Sequence, residues 1–262
     1  MLSIARCAVL AAALHFGLEP AMEAQSNYQR LKSFGSPELM GQSPRALLLQ
    51  GSDGALYGTT RGGGGSIAGT VFRINPDGSG YHALHGFGTI ASDGVFPSAG
   101  LVEASDGALY GTTYSGGSNV YYGTVFKLNK DGSSYSTLHS FGGSGDDGKN
   151  PYAGLIEGSD GALYGTTFGG GNSSSGTIFK INKNGSGYEI LHSFSFNGPD
   201  GSLPYGGLMK GSDGALYGTA ERGGGNSGGT VFKLHEDGSG YTVLHNFGAI
   251  ANDWSTTIIP FR

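Results

Sequence analysis

Cysteine is almost missing: Cys7 is the single one in 262 residues. That excludes an internal disulfide and any cluster of thiolates around zinc or iron–sulfur. Charge is scarce as well. Asp, Glu, Lys and Arg make up 13% of the chain, about half the usual share, which excludes a charged disordered tail. Acidic residues outnumber basic ones 20 to 15, for a formal charge of -5; a nucleic-acid or anionic-membrane surface would need a basic field instead. No apolar run reaches the ~18 residues that a membrane-spanning helix requires. What the chain has in excess is glycine, 52 residues. Each one weakens a helix interior by about 1 kcal/mol relative to Ala, so a helical bundle is excluded. The glycines cluster and do not fall at every third position, which excludes collagen. With 37% hydrophobic residues, including 14 Phe and 14 Tyr, there is material for a sizeable core, and the chain reads as all-β.

The start of the chain stands apart in composition. Arg6 precedes a 12-residue apolar stretch, Cys7–Leu18, too short to span a bilayer but suited to the core of a signal peptide. Residues 1–24 are therefore expected to be a leader cleaved near Ala24, and residues 25–262 a single repeat domain in a secreted, extracellular or periplasmic location. Cleavage would leave the mature chain without cysteine.

Repetition dominates the remainder. Tyr-Gly-Thr-Thr/Ala begins at Tyr57, Tyr110, Tyr164 and Tyr217, at steps of 53, 54 and 53 residues. Leu-His-x-Phe places His85, His139, His192 and His245 at nearly the same spacing, and Asp53, Asp106, Asp160 and Asp213 of Ser-Asp-Gly-Ala-Leu precede each Tyr. Repeats of approximately 44–96, 97–150, 151–203 and 204–253 follow, with residues 28–34 as an N-terminal partial repeat and 254–262 as a divergent tail. The likeness of Phe247–Trp254 to Phe87–Gly94 suggests a fifth unit begun and broken off, as in a longer array. Such a period means stacked supersecondary units, none of which can bury its own apolar faces alone.

Within the second unit, four short strands rich in β-branched and aromatic residues are expected: a at Gly100–Glu103, b at Ala108–Thr113, c at Gly123–Asn129 and d at Ser134–Phe141. Asp106-Gly107 and Asp131-Gly132 supply the positive φ of tight hairpin turns. Strand d alternates, with Tyr135, Thr137, His139 and Phe141 on one face. Sheets of this size, covered on both sides and repeated, predict a β-propeller-like array of about 53-residue four-stranded repeats. The ordered run Gly-Thr-Val-Phe-Lys-Leu, Asp-Gly, Leu-His-Ser-Phe-Gly, Asp-Gly-x-x-Pro-Tyr-Ala-Gly-Leu and Gly-Ser-Asp-Gly-Ala-Leu-Tyr-Gly-Thr-Thr resembles the GloVer (Gloeo/Verruco-type) tandem repeat of exported bacterial proteins, many of which end in a surface anchor. The resemblance covers about residues 31–253 and implies a propeller-like extracellular protein without an established activity.

Residues shared by every unit are read as construction: the His of Leu-His-x-Phe as hydrogen-bonded imidazoles, the Asp of Ser-Asp-Gly as turn acceptors, and the Tyr as packing anchors. Gly143–Asn150 only imitates a P-loop, since Asn replaces the magnesium-binding Ser/Thr. The G-x-S-x-G at 225–229 lacks its strand-turn-helix elbow. No catalytic residue, metal site or cofactor follows. Positions where the units differ are more informative. Gln50, Glu103, Glu157 and Lys210 stand at equivalent sites near the end of strand a and are expected to line a central channel; Glu103 and Glu157 together suit glycoside chemistry if 5 to 9.5 Å apart. Arg61, Tyr114, Phe168 and Arg222, with Tyr121 and Tyr122, flank the glycine-rich b–c loops and suit recognition. The sequence thus points to an exported non-catalytic module for an extracellular glycan or protein, with a polysaccharide-active hydrolase or lyase as the alternative.

Overall fold

In a computed structural model, residues 41–196 and 198–248 are described, all of them within one compact unit that spans residues 31–262. The expected leader, the N-terminal strand at 28–34 and the divergent tail lie outside the described residues. Among the described residues there are strands and no helix. In the second unit strand a is Val102–Glu103, b Leu109–Thr113, c Thr124–Leu128 and d Ser136–Ser140, an antiparallel meander in the spatial order d-c-b-a. The first unit repeats it with Leu49–Gln50, Leu56–Gly63, Thr70–Ile74 and His82–Gly86; the third with Ile156–Glu157, Leu163–Thr167, Thr177–Ile181 and Glu189–Ser193; the fourth with Met209–Lys210, Leu216–Ala220, Thr230–Leu234 and Thr242–Asn246. The a–b turn glycine does what its Asp-Gly pair predicts: Gly107 has φ +78°.

Three local features depart from the sequence reading. Strand a is two residues long, because the glycine ahead of it lies against the preceding unit; a Cβ on Gly100 would sit 3.1 Å from the Leu47 carbonyl oxygen. The b–c glycines are not simply flexible loop, since Ser115–Gly116 pairs with Gly94–Val95 and Gly169–Gly170 with Gly148–Lys149. Strand d does not alternate throughout. Val125 faces His139 but Phe126 faces Thr137, so Leu138 is bulged out of register. The bulge recurs in every unit, skipping Leu84, Leu191 and Leu244, and the next unit's c–d turn fits against it. A Cβ on Gly132 would come within 2.8 Å of the Leu84 oxygen.

The apolar cores lie between sheets. Tyr57, Val71 and Phe87 of the first unit pack against Leu101, Leu109, Phe126 and Leu128 of the second. Tyr110, Val125 and Phe141 meet Leu155, Leu163, Phe179 and Ile181 in the same way, as do Tyr164, Ile178 and Phe194 with Leu208, Leu216, Phe232 and Leu234. Alternation along strand b sends Leu to one flank of the sheet and Tyr to the other. Each unit therefore has a leading flank of Leu and Phe and a trailing flank of Tyr, Val and Phe.

Polar groups seal the same junctions. His85 Nε2 lies 3.2 Å from Asp93 Oδ2, which also accepts the Gly88 N–H at 2.8 Å, while Tyr135 of the next unit donates its hydroxyl to Asp93 Oδ1 at 2.5 Å. The His85 and Tyr135 rings stack at 3.6 Å. His139, Asp147 and Tyr188 repeat the arrangement. At the third junction His192 still reaches Asp200, but Tyr241 donates to the Asp200 main-chain oxygen, leaving Asp200 Oδ1 buried without a partner. The expectation of hydrogen-bonded imidazoles holds for His85, His139 and His192, each bonded to an aspartate of its own repeat and stacked on a tyrosine of the next. Burial alone would raise the Asp93 and Asp147 carboxyls; the hydrogen bonds from His and Tyr outweigh it and hold both below the ordinary carboxylate value.

Two outcomes follow for stability. Phe141, fully buried, should cost about 3–5 kcal/mol on truncation to Ala, whereas Phe247, at the same repeat position but 43% exposed, should cost far less; denaturant melts of the two variants make the comparison. Because the folded Asp93 and Asp147 values are depressed, their stabilisation is complete above the unfolded carboxyl value of about 3.9 and is lost as pH falls through the lower folded values. Acid titration of melting temperature should show this fall, flattened in an Asp93→Asn/Asp147→Asn variant.

Candidate functional site

Strand a runs from the b–c loops to the a–b turn, so its two ends open on opposite faces of the array. On the turn face the structure brings Gln50, Glu103 and Glu157 into one depression of about 780 Å³, together with Ser52 and Ser105. The two carboxylates are already engaged. Glu103 accepts the Ser52 N–H at 2.8 Å and the Ser52 hydroxyl at 2.6 Å, and Lys130 donates to both Glu103 and Ser52. Glu157 holds Ser105 and Lys183 in the same geometry. Burial would raise Glu103 and Glu157, but the Lys and Ser donors prevail and hold both below the usual value.

Lys210 reverses the pattern. It lies 3.7 Å from Glu236, which occupies the c–d turn position of Lys130 and Lys183 and itself accepts the Ser159 N–H at 2.7 Å. The unlike charges at this repeat position are thus matched by reversed charges in the c–d turn, and in the first unit Gln50 is matched by the uncharged Pro76. In all three charged cases a carboxylate reaches the a–b turn serine of the preceding unit.

The opposite face carries the aromatic residues. Tyr114 and Tyr152 meet edge to face at 5.8 Å, Tyr152 and Tyr205 at 5.4 Å, and Phe168 lies 4.6 Å from Tyr205. Arg61 sits over the Phe96 ring at 5.3 Å. The position equivalent to Arg61, Tyr114 and Phe168 is Glu221, with Arg222 beside it and paired to it at 3.8 Å. Burial, the Glu221 carboxylate and the neighbouring tyrosines raise the Tyr205 phenol. Tyr152 and Tyr205 are 38% and 41% exposed. Leu47, Leu48, Gly100, Gly154 and Gly207, just ahead of the four strand-a segments in sequence, line an apolar cleft of about 370 Å³.

Tyr121 and Tyr122 do not join the cluster. Tyr122 packs against the core between the second and third units, with Lys149 over its ring at 4.8 Å, while Tyr121 is exposed and its main-chain oxygen accepts the Asn150 side chain. Sequence reasoning missed Phe96, Tyr152 and Tyr205. They flank the repeat prolines at positions where the units differ, the criterion that singled out the strand-a quartet. The residues just before those prolines, Ser43, Phe96, Asn150 and Leu203, all have φ between 56° and 59°, a left-handed conformation that costs a non-Gly residue of order 1–3 kcal/mol. Main-chain bonds hold it: the Phe96 N–H donates to Ala68 O of its own unit at 2.7 Å, and Phe96 O accepts the Tyr114 N–H of the next unit at 3.1 Å. The strain fixes the backbone on which the aromatic face is mounted.

The model of the Gloeobacter/Verrucomicrobia repeat matches residues 14–196 and again 121–258. Among solved structures, a chain of the nidogen/laminin complex superposes with a TM-score of 0.54 at 16% identity, over 78% of this chain and 65% of that one. The extracellular domain of a one-component system from B. thetaiotaomicron gives 0.52 at 11% identity, over 84% of this chain and 25% of that one. The chain spans less than two thirds of the length of either, and at these identities the likeness shows the fold alone. No curated protein matches.

The reversed pair is testable by charge exchange. Lys210→Glu alone sets a second carboxylate against Glu236 and should lower the melting temperature; adding Glu236→Lys should restore it, with a coupling of up to about 1 kcal/mol. Strict additivity of the two substitutions would show that the pair is not an interacting unit.

Proposed function

The chain belongs to the Gloeobacter/Verrucomicrobia repeat family, and from that premise we propose that it is an exported, non-catalytic module that binds a glycan chain on its b–c loop face. The observation that carries this reading is the group of partly exposed rings formed by Tyr114, Tyr152, Phe168 and Tyr205, contributed by consecutive units. Rigid rings offer flat apolar area at small entropic cost, and tyrosine adds a hydroxyl for hydrogen bonding. Sugar rings present C–H faces suited to such surfaces and hydroxyls suited to their polar tips. Arg61 near one end and the Glu221–Arg222 pair near the other add directional polar contacts. Export is supported by the apolar run Cys7–Leu18 after Arg6, and residues 25–262 would form the mature binding domain.

The alternative, a hydrolase or lyase acting through Glu103 and Glu157, draws less support from the geometry. A general acid for glycoside cleavage needs a raised pKa, whereas both carboxyls are held low by Lys and Ser.

Binding to a panel of immobilised polysaccharides, with product release followed in parallel, tests the proposal. Tyr152→Ala/Tyr205→Ala should weaken capture of the bound glycan about tenfold or more, equivalent to about 1.4 kcal/mol, and Tyr121→Ala should leave it unchanged. Full affinity in the double variant would remove the loop face from the reading. Turnover abolished by Glu103→Gln/Glu157→Gln would favour the enzyme instead.

A further inference from the structure

Positive charge is treated differently on the two faces. On the turn face each described Lys or Arg answers a carboxylate. Lys130, Lys183 and Lys210 pair with Glu103, Glu157 and Glu236. Arg73, Lys127 and Lys180 reach the a–b turn aspartates of their own units, and Lys233 exerts its charge on Asp213 from the same strand position. The cations of the b–c loop side stand otherwise. Arg222 pairs with Glu221, but among the described residues no carboxylate pairs with Arg45, Arg61 or Lys149. Arg61 lies instead over Phe96 at 5.3 Å, and Lys149 over Tyr122 at 4.8 Å.

Two of these cations occupy the positions that carry the row of rings. The first unit pairs Gly41 with Gly63 as the second pairs Gly94 with Gly116 and the third Gly148 with Gly170. Ser43, ahead of the proline, takes the same left-handed φ, 57°, as Phe96 at 59° and Asn150 at 56°. On that shared frame Arg45 follows Pro44 where Tyr152 follows Pro151 and Tyr205 follows Pro204, and Arg61 follows Thr60 where Tyr114 follows Thr113 and Phe168 follows Thr167. The first unit thus sets two guanidinium groups where later units set aromatic rings. Arg45 is exposed, and the Phe96 ring orders Arg61. At the far end the fourth unit sets Glu221, already paired with Arg222 at 3.8 Å. The row has a direction: guanidinium at one end, rings between, carboxylate at the other.

We propose that the glycan bound by this face is an acidic one, with uronate carboxylates spaced among neutral sugars. The carboxylates dock on Arg45 and Arg61 while sugar rings lie along Tyr114, Tyr152 and Tyr205; the assignment rests on the glycan-binding reading of the loop face and names its substrate class. A guanidinium fork meets a carboxylate through two parallel N–H···O bonds, and an arginine already ordered against a ring gives up less freedom when it binds. A neutral glycan engages the rings alone and leaves both guanidinium groups to water. A densely sulfated chain fits less well. It would set anions against Glu221 and needs a continuous basic field, which a chain of formal charge -5 does not provide.

Affinity of the full chain for immobilised gellan and hyaluronan, in which neutral sugars space the uronates, tests the proposal when measured beside their carboxyl-reduced forms and dextran sulfate. The parent should hold at least one of the two about tenfold more tightly than its reduced form at low salt, the scale of two exposed ion pairs, and the difference should shrink as salt rises. Arg45→Gln/Arg61→Gln should erase that difference while the melting temperature and the binding of the reduced form stay close to the parent's. Tyr152→Ala/Tyr205→Ala should weaken both forms in parallel. Lys149→Gln, over Tyr122 and outside the row of rings, should leave the difference standing. The proposal is overturned if dextran sulfate is held more tightly than either uronate polysaccharide, or if Lys149→Gln costs as much as the arginine pair, since a diffuse field would then be acting. Capture of neutral glycans that depends on Tyr152 and Tyr205 but not on the arginines overturns the uronate assignment alone. Capture of no glycan at all overturns the reading of the loop face with it.

Discussion

Burial of apolar surface between sheets, and not within any one of them, is the constraint on which this molecule rests. A four-stranded meander has two faces and no interior, so every unit presents a Leu/Phe flank and a Tyr/Val/Phe flank, each of which needs a neighbour. The three clusters at the junctions draw on both units alike. Glycine follows from the same constraint: where Gly100 passes Leu47 and Gly132 meets the bulged Leu84, backbone approaches backbone closely enough that a side chain would force them apart.

The polar contacts add order to that packing. His, Asp and Tyr converge from two consecutive units, and the serine of one a–b turn is grasped by a carboxylate of the next. Apolar flanks that look alike would tolerate slipped or exchanged neighbours, but a carboxylate that must find both a serine N–H and a lysine ammonium does not. The reversed polarity of Lys210 and Glu236 preserves the grasp while giving the last junction a different charge signature.

Much of the scaffold was legible in the sequence. The period, the four strands per unit, the Asp-Gly turns and the buried Tyr57, Tyr110 and Tyr164 all follow from local patterns of β-branched, aromatic and turn residues. What escaped was carried by residues far apart in the chain. Glu103 reads as a free channel carboxylate until Ser52, 51 positions earlier, and Lys130 are seen to hold it. The bulge at Leu138 cannot be read from a run that alternates on paper. Tyr152 and Tyr205 come together because successive units are stacked, and no local motif marks that. Arg222 flanks its glycine cluster one position later than Arg61 does, with Glu221 in the place just after strand b.

The strained residues ahead of the repeat prolines have a consequence for how such a protein diversifies. Phe96, Asn150 and Leu203 are each linked to the next unit through the main-chain oxygen, Asn150 adds side-chain bonds to the Tyr114 and Tyr121 oxygens, and the four positions hold Ser, Phe, Asn and Leu. One main-chain arrangement thus carries unlike side chains, and each unit supplies one such position. Gene duplication followed by independent drift at those positions can vary the side chains displayed there while the stack beneath them stays as it was.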